Sequence, residues 1–341
     1  MFNMRVLLIK TSSMGDLIHT LPALTDAGLA IPGITFDWVV EESFAEIPHW
    51  HPLVNKVIPI AFRRWRKNIL SKESRQGLCT LKKELRSEQY DLILDAQGLV
   101  KSAFISLFAK GKRSGLDFRS ARESFASLVY QQKHTVNFYQ HAIHRMRSLF
   151  ALALGYSLPT TAPDFGIQDE LKVESEQEKY LVFLHGTTWV SKQWPESYWI
   201  ELAEIAHQAG YRVKISGGND EEVARAFRIG NASKAVDVMP RLTIAKMAAL
   251  LANAKAVVAV DTGFGHLAAA LNIPTVSLFG PTNADYTGVS GRASVSLSAK
   301  FSCAPCLNRT CTYKETANVS PACFTTLPPM QVWSVVNEYL K

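Results

Sequence analysis

Close to its start the chain reads Arg5-Val-Leu-Leu-Ile-Lys-Thr-Ser-Ser-Met-Gly-Asp-Leu-Ile-His-Thr-Leu-Pro-Ala-Leu24. An apolar run, a polar turn with one Gly and a helical apolar spacing predict a strand, a loop and a helix in that order. This order places Asp16 in the first helical turn. The turn contains neither G-x-G-x-x-G nor G-x-x-x-x-G-K-[ST], so a dinucleotide or P-loop site is disfavoured there.

Asp16 is the first residue with a candidate chemical role. A carboxylate in the first helical turn lies near the positive end of the helix dipole and near free backbone N–H groups, which favour its ionised form. An ionised Asp16 can accept a proton. The alternative is a helix cap with no further role, which is common for Asp at helix starts. This stretch alone leaves both interpretations open.

Length and composition indicate two ordinary globular domains. The chain has 341 residues, of which 47% are hydrophobic and 20% charged, and a single core rarely grows to that size. No apolar segment is long enough to span a bilayer, and the N-terminus lacks the features of a signal peptide. We therefore expect a cytoplasmic protein.

The net charge of +7 is concentrated in one segment. Residues 62–86 contain nine Lys or Arg against two Glu, so the rest of the chain is formally neutral. A local basic excess suggests an anionic partner, which could be nucleic acid, a phosphorylated substrate or an acidic membrane face. The alternative is a solvated helix surface.

Strand and helix patterns alternate along both halves, which predicts α/β folding around parallel sheets. In the first half, strands are predicted at 5–9, 36–40, 55–60 and 90–95, and helices at 100–110, 121–130 and 137–156. In the second half, strands are predicted at 180–184, 212–215, 236–238, 256–260 and 275–278, and helices at 196–209, 220–229, 243–254 and 265–271. The proline-rich stretch Ser157–Asp164 between the halves is predicted to be a linker. Two such domains facing each other would form a cleft for ligands.

Three predicted strand ends of the second half carry polar residues. Thr187 and Thr188, followed by Lys192, could hold a diphosphate, although a surface turn is the alternative. The stretch Ser216–Glu222 combines glycines for close ligand approach with an acid for ribose hydroxyls, or is an ordinary capped helix start. Two glycines precede the helix that contains His266, and the N-terminal amides of a helix suit phosphate. A histidine considered alone is more often structural. Together these strand ends suggest a nucleotide-binding domain.

The chain has five cysteines, Cys79, Cys303, Cys306, Cys311 and Cys323. The spacing of the last four could satisfy one zinc ion. A disulfide framework is not expected in a cytoplasmic protein. We favour reduced structural thiols without a catalytic role.

Long strings of this sequence closely resemble lipopolysaccharide heptosyltransferases of Gram-negative bacteria, which belong to glycosyltransferase family 9. The strings are those of the type I members, and the likeness extends over nearly the whole chain. They are Lys10–Leu24, Phe36–Glu42, Arg63–Lys67, Asp95–Ala103 and Asp261–Gly263.

The resemblance implies a GT-B fold, in which two Rossmann-like, doubly wound parallel-sheet domains face a central cleft. Residues 1–160 would bind the acceptor, residues 161–326 would bind ADP-heptose, and a helix within 327–341 would pack back toward the N-terminal domain. The implied reaction transfers L-glycero-D-manno-heptose, with inversion, from ADP-heptose to the first Kdo sugar of Kdo2-lipid A.

The same resemblance implies roles for individual residues. Asp16 would be the general base. The donor would be bound by Ser12, Ser13, Gly15, Thr187, Thr188, Lys192, Glu222, Asp261, Thr262, Gly263 and His266. The acceptor would be bound by Arg63, Arg64, Arg66, Lys67 and Arg122. No metal and no cofactor would be required, since ADP-heptose is a substrate.

The implied location is the cytoplasmic face of the inner membrane, as a peripheral protein. Nucleic acid is not expected as a partner, because no nucleic-acid-binding motif accompanies the basic segment. The tail from Cys303 to Cys323 is closer to type II members, which act on an already heptosylated inner core and are therefore the alternative. A non-catalytic module that binds anionic lipid or nucleic acid is a third hypothesis.

Overall fold

The computed structural model describes residues 3–68, 70–167 and 179–341. The chain divides into two compact units, Met1–Gln168 and Asp169–Lys341. The proline-rich stretch 157–164 contains no helix or strand and lies in the first unit, where the carbonyl of Thr161 accepts a hydrogen bond from Arg147.

The first unit is built around a six-stranded parallel sheet in the order β3-β2-β1-β4-β5-β6. The strands are β1 (Arg5–Ile9), β2 (Thr35–Glu41), β3 (Val54–Ile60), β4 (Gln89–Asp95), β5 (Lys110–Leu116) and β6 (Gln132–His134). The apolar run of β1 is fully buried because it pairs with β2 on one side and β4 on the other. The segment after β1 therefore begins at the middle of the sheet.

Seven helices accompany this sheet among the described residues. They are α1 (Met14–Ile18), α2 (Leu21–Ala30), α3 (Glu46–His49), α4 (Phe62–Trp65), α5 (Lys72–Arg86), α6 (Val100–Ser106) and α7 (Ala142–Leu154). Helices α2 and α7 are joined by a buried ion pair in which the Arg147 guanidinium donates to both carboxylate oxygens of Asp26, at 2.6 and 3.1 Å. This two-point contact fixes the orientation of α7 as well as its position.

The second unit repeats the plan with a parallel sheet in the order β12-β11-β10-β7-β8-β9. Its strands are β7 (Tyr180–Leu184), β8 (Arg212–Ile215), β9 (Val236–Val238), β10 (Ala256–Val260), β11 (Thr275–Phe279) and β12 (Ser294–Ser298). Its helices are α8 (Glu196–Gln208), α9 (Asp220–Ala232), α10 (Ile244–Ala252), α11 (Gly263–Ala270), α12 (Ala284–Thr287) and α13 (Pro329–Leu340). Phe183, Trp194 and Trp199 stack at the centre of its core.

The closing helix α13 packs against α8 and against strands β10 and β11 of the second unit. Val332 and Val336 enter the core of that unit and are fully buried. The expectation that this helix also packs toward the first unit stays a prediction.

The α/β class and the parallel sheets are as predicted, but several details of the sequence interpretation are wrong. The helix expected at 100–110 ends at Ser106, and strand β5 begins at Lys110. The helix expected at 121–130 is a 3-10 segment at Ser124–Val129, and the strands β6 and β12 were not expected. Strand β5 was missed because its residues, KGKRSGL, have low strand propensity. Packing compensates for this low propensity, since the Tyr130 ring lies so close to Gly115 that no side chain would fit there.

One buried histidine makes the first unit sensitive to acid. The His51 ring accepts the Leu53 N–H at Nδ1 (3.3 Å) and contacts Thr25 Oγ1 through Nε2 (3.0 Å). Burial lowers the pKa of His51 to about 4, so the folded protein holds this ring neutral. Between pH 6.5 and 4 the unfolded chain binds more protons at this site than the folded chain, and stability must fall as the pH falls.

Replacing His51 by Gln removes this proton uptake. Between pH 7 and pH 4.5 the wild type should lose about 2 kcal/mol more unfolding free energy than His51→Gln, as measured by urea denaturation. Equal losses of unfolding free energy in the two proteins would show that protonation of His51 does not destabilise the folded protein.

Candidate active site

The loop after β1 is fixed to the end of β4. The side-chain oxygen of Gln97 accepts the backbone N–H groups of Thr11 (2.9 Å) and Ser12 (3.1 Å). Behind it, the buried Asp95 carboxylate accepts the N–H of Gln97 (2.8 Å) and the hydroxyl of Tyr130 (2.6 Å). The loop that leads to Asp16 is therefore held by side chains from elsewhere in the sheet.

Asp16 lies in the first turn of α1, as predicted. Its Oδ2 accepts both the backbone N–H and the hydroxyl of Ser13, each at 2.8 Å, so it does cap the helix. Burial alone would raise the pKa of Asp16, but the charge of Lys10 and the two Ser13 bonds outweigh it and lower the pKa. Because α1 has only five residues, these partners rather than a long helix dipole keep the carboxylate ionised.

Lys10 is the main countercharge of Asp16, and the sequence interpretation did not identify it. Its side chain is 5% exposed, and its ammonium donates to the carbonyl of Ala96 at 3.1 Å. Its own carbonyl accepts the indole N–H of Trp38 at 2.9 Å, which fixes the backbone at the strand end. Burial lowers the pKa of Lys10, while Asp16 and Asp95 act in the opposite direction. The available signal was a lysine directly after a buried strand.

Asp16 and Lys10 line one cavity of about 70 Å³ in the first unit. Arg122, predicted to bind the acceptor, lines it too, whereas Ser12 and Ser13 of the adjoining loop and Gly15 of α1 do not. Arg145 is a further cation of this cavity; it stacks on the Phe138 ring at 4.5 Å, and its buried Nε has no hydrogen-bond partner among the described residues. The complete lining is Lys10, Asp16, His19, Ala96, Gln97, Leu116, Arg122, Ala142, Arg145 and Met146.

The other predicted acceptor residues lie on and after α4 and do not line the Asp16 cavity. The backbone N–H of Arg63 donates to Glu41 at 2.9 Å, and its guanidinium stacks on Phe44 at 5.0 Å. Arg64 pairs with Glu42 and Glu73 at the surface, and Arg66 and Lys67 are exposed. The structure thus separates Arg122 from the basic residues with which it was grouped.

In the second unit, predicted donor residues converge on Asp261, which follows β10. The Lys192 ammonium is 2.6 Å from Asp261 Oδ2, and the hydroxyl of Thr282, which was not predicted, donates to the same oxygen at 2.8 Å. The Thr187 hydroxyl donates to the Asp261 carbonyl at 3.1 Å, and His266 Nε2 lies 3.9 Å from Asp261 Oδ1. Lys192 and Asp261 form the charged centre of this cluster.

The remaining predicted donor residues surround this cluster. Glu222 accepts the N–H of Gly218 at 2.8 Å and packs so closely on Gly186 that a side chain there would collide with its carboxylate. Thr262 and Gly263 begin helix α11, whose first backbone N–H groups are directed outward from the helix end. Thr188 is exposed.

The cysteines form no disulfide in this structure. Cys323 is buried, and burial, with smaller contributions from the other three tail cysteines, raises its pKa to about 12. Within residues 3–68, 70–167 and 179–341, no group of three or more Cys, His, Asp or Glu side chains is arranged to hold a metal ion. The same part of the chain contains no helix with the length and apolar character needed to cross a membrane.

The chain belongs to glycosyltransferase family 9, the heptosyltransferases, whose family model matches residues 78–317. It is 52% identical to lipopolysaccharide heptosyltransferase 1 of Pseudomonas aeruginosa, with 96% of each chain covered. The Escherichia coli K12 protein of the same name is 47% identical over 85% of this chain and 92% of its own length. The protein is therefore a glycosyltransferase of the heptosyltransferase family, as the sequence predicted.

Solved structures agree with this assignment. E. coli heptosyltransferase WaaC with ADP superposes with a TM-score of 0.87 and 41% identity, over 98% of this chain and 100% of that one. WaaC with ADP-2-deoxy-2-fluoro heptose gives a TM-score of 0.84 at the same identity, over 98% and 99%. E. coli heptosyltransferase II is 20% identical with a TM-score of 0.74 and covers 98% of its own length, which supports the fold alone. The predicted GT-B fold is confirmed.

The position of Lys10 in the cavity predicts how its removal changes the pKa of Asp16. Lys10→Met keeps a long apolar side chain but removes the charge that favours the Asp16 anion, so the pKa of Asp16 should rise. The acid limb of the pH profile of kcat/KM for heptosyl transfer should then move to higher pH.

Lys112→Met is the matched control, because it removes an exposed lysine that does not line the cavity. Its acid limb should coincide with that of the wild type. An unshifted limb in Lys10→Met would mean that Lys10 does not set the ionisation of Asp16.

Proposed function

We propose that this enzyme transfers L-glycero-D-manno-heptose from ADP-heptose to the first Kdo sugar of Kdo2-lipid A, with inversion at the anomeric carbon. Asp16 acts as the general base, and no metal or other cofactor takes part. The observation that carries the proposal is an aspartate kept ionised by a buried lysine in a cavity lined by further cations.

The charge of the cavity supports an acidic acceptor. Lys10, Arg122 and Arg145 line it against the single carboxylate of Asp16. The buried Nε of Arg145, which has no hydrogen-bond partner among the described residues, favours the binding of an anion, and the planar fork of a guanidinium suits a carboxylate. The carboxylate of a Kdo sugar has this chemistry, and about 70 Å³ accommodates such a group rather than a whole sugar.

The reaction needs one proton acceptor. Asp16 takes the proton of the acceptor hydroxyl while that oxygen forms a bond to the anomeric carbon of heptose. The bond from this carbon to the ADP oxygen breaks with its electron pair on ADP. Attack from the side opposite ADP inverts the configuration.

The donor belongs to the second unit in this proposal. Lys192 would balance the charge that builds on the departing ADP, together with the first backbone N–H groups of α11. Glu222 would contact the ribose, and the diphosphate and heptose would be contacted by Thr187, Thr188, Asp261, Thr262, Gly263 and His266. Ser12 and Ser13 of the β1–α1 loop and Gly15 of α1 would line the donor. The ADP and fluoro-heptose ligands named for the WaaC structures support this donor class.

Location follows from the acceptor, because Kdo2-lipid A is anchored in a membrane. We propose that the enzyme is cytoplasmic and binds the inner membrane peripherally. The basic side chains Arg63, Arg64, Arg66 and Lys67 would contact phosphates of the acceptor or of neighbouring lipids.

Asp16→Asn tests the proposed base, since it keeps the size of the side chain and a hydrogen-bond acceptor for Ser13. The turnover number for ADP release with ADP-heptose and Kdo2-lipid A should fall on the order of 100-fold or more, with ADP-heptose affinity unchanged. Equal turnover of the two proteins would reduce Asp16 to a helix cap.

Two further arms of this assay test the acceptor and the cofactor. Transfer to Kdo2-lipid A should exceed transfer to its heptosylated form, and the reverse would assign the type II acceptor. A chelator should leave the rate unchanged if no metal takes part.

A further inference from the structure

The first unit has an apolar surface that the proposed chemistry does not use. Val100, Phe104 and Leu107 are spaced on one face of α6 and its C-terminal end, and each is at least 45% exposed. Phe125 and Leu128, in the 3-10 segment Ser124–Val129, are 70% and 68% exposed. Phe118, 54% exposed, contacts the Phe125 ring edge to face at 6.2 Å between centroids. We call these six side chains the apolar patch.

The two segments that carry the apolar patch pack on each other. Helix α6 and the 3-10 segment join through the buried side chains of Ala103, Ala126 and Tyr130. The backbone N–H of Val100 also donates to Glu123 at 2.7 Å. The core between them is filled by small residues and one tyrosine, which leaves the larger apolar side chains outside. Exposed apolar groups in this number mark an interaction surface rather than scattered surface residues.

Basic side chains adjoin the apolar patch. Lys101 lies on α6, and its ammonium is 5.5 Å from the centroid of the Phe62 ring at the start of the basic helix α4. Burial and the neighbouring charges of Arg63 and Arg66 lower the pKa of Lys101, which places the basic segment within electrostatic reach of α6. Aromatic and aliphatic side chains beside clustered cations are the composition of surfaces that bind anionic bilayers.

The position of the apolar patch relative to the Asp16 cavity also fits an anionic bilayer as the partner. Phe118 and Phe125 flank Arg122 in the chain, and Arg122 lines the Asp16 cavity. Leu116, two residues before Phe118, lines it as well. An acceptor whose sugar enters this cavity while its acyl chains stay in a bilayer requires a lipid surface close to the cavity.

We propose that the apolar patch inserts into the interfacial region of an anionic phospholipid bilayer and holds the Asp16 cavity against the membrane. This inference rests on the proposed lipid-anchored acceptor, and it adds the surface that contacts the lipid. The basic segment supplies long-range attraction, and the apolar side chains supply the short-range affinity.

The test uses the full chain and vesicles of phosphatidylethanolamine and phosphatidylglycerol without Kdo2-lipid A. The variant Phe104→Ser, Phe125→Ser, Leu128→Ser should partition onto them on the order of 10-fold or more weakly than the wild type in a flotation assay. The control Leu29→Ser, Phe227→Ser removes two exposed apolar side chains that do not belong to the apolar patch and should bind like the wild type. In the single variant Phe125→Trp, the fluorescence of the introduced indole should shift to shorter wavelength on vesicle addition and be quenched by brominated lipid.

Each outcome separates this inference from the proposed reaction, because vesicle binding does not depend on heptose transfer. Wild-type-like partitioning of the triple variant, or an unshifted indole signal in Phe125→Trp, would overturn the lipid assignment even if transfer is normal. The wild type could instead form a dimer that the triple variant does not form, and fail to bind vesicles. That result would assign the apolar patch to contact with a second copy of the chain. Transfer to an acceptor without acyl chains should be equal in the wild type and the triple variant.

Discussion

The charge interaction of Lys10 and Asp16 is the one on which the proposed chemistry of the first unit depends. A buried ammonium is unfavourable unless an anion and hydrogen-bond acceptors accompany it, and Asp16 and the carbonyl of Ala96 supply these. The charge of Lys10 in turn lowers the pKa of the carboxylate against the effect of burial. The two groups meet because β1 lies at the centre of the sheet, so that its carboxyl end opens into the cavity.

A second set of contacts links this charge pair to the protein surface. Asp95 holds Gln97, which holds the loop before α1, and Asp95 also accepts the Tyr130 hydroxyl. Tyr130 packs over Gly115 and fills the small core beneath the apolar patch. One tyrosine therefore connects the support of the loop before Asp16 with the surface that we propose contacts lipid. Exposed apolar side chains are tolerated there because their segments are anchored from below.

The sequence predicted those features that are local in the chain. The strand, turn and helix around Asp16, and the strand ends with Thr187 and Asp261, were found because their patterns are contiguous. The role of Lys10 was not found, because it depends on Asp16 and on the end of β4, which lie apart from it in the chain. Strand β5 was not found either, since packing rather than propensity forms it. Arg122 was grouped with the basic segment through the family resemblance, and in the structure it lines the Asp16 cavity.

The central claim is that Lys10 keeps Asp16 ionised and ready to accept a proton. Its most direct test is the titration of the Asp16 carboxyl carbon by NMR, in protein labelled with ¹³C aspartate and assigned with Asp16→Asn. The account predicts a midpoint below the ordinary aspartate range, with the carboxylate fully ionised at neutral pH. A midpoint at or above about 3.9 would contradict it, because burial would then outweigh the lysine.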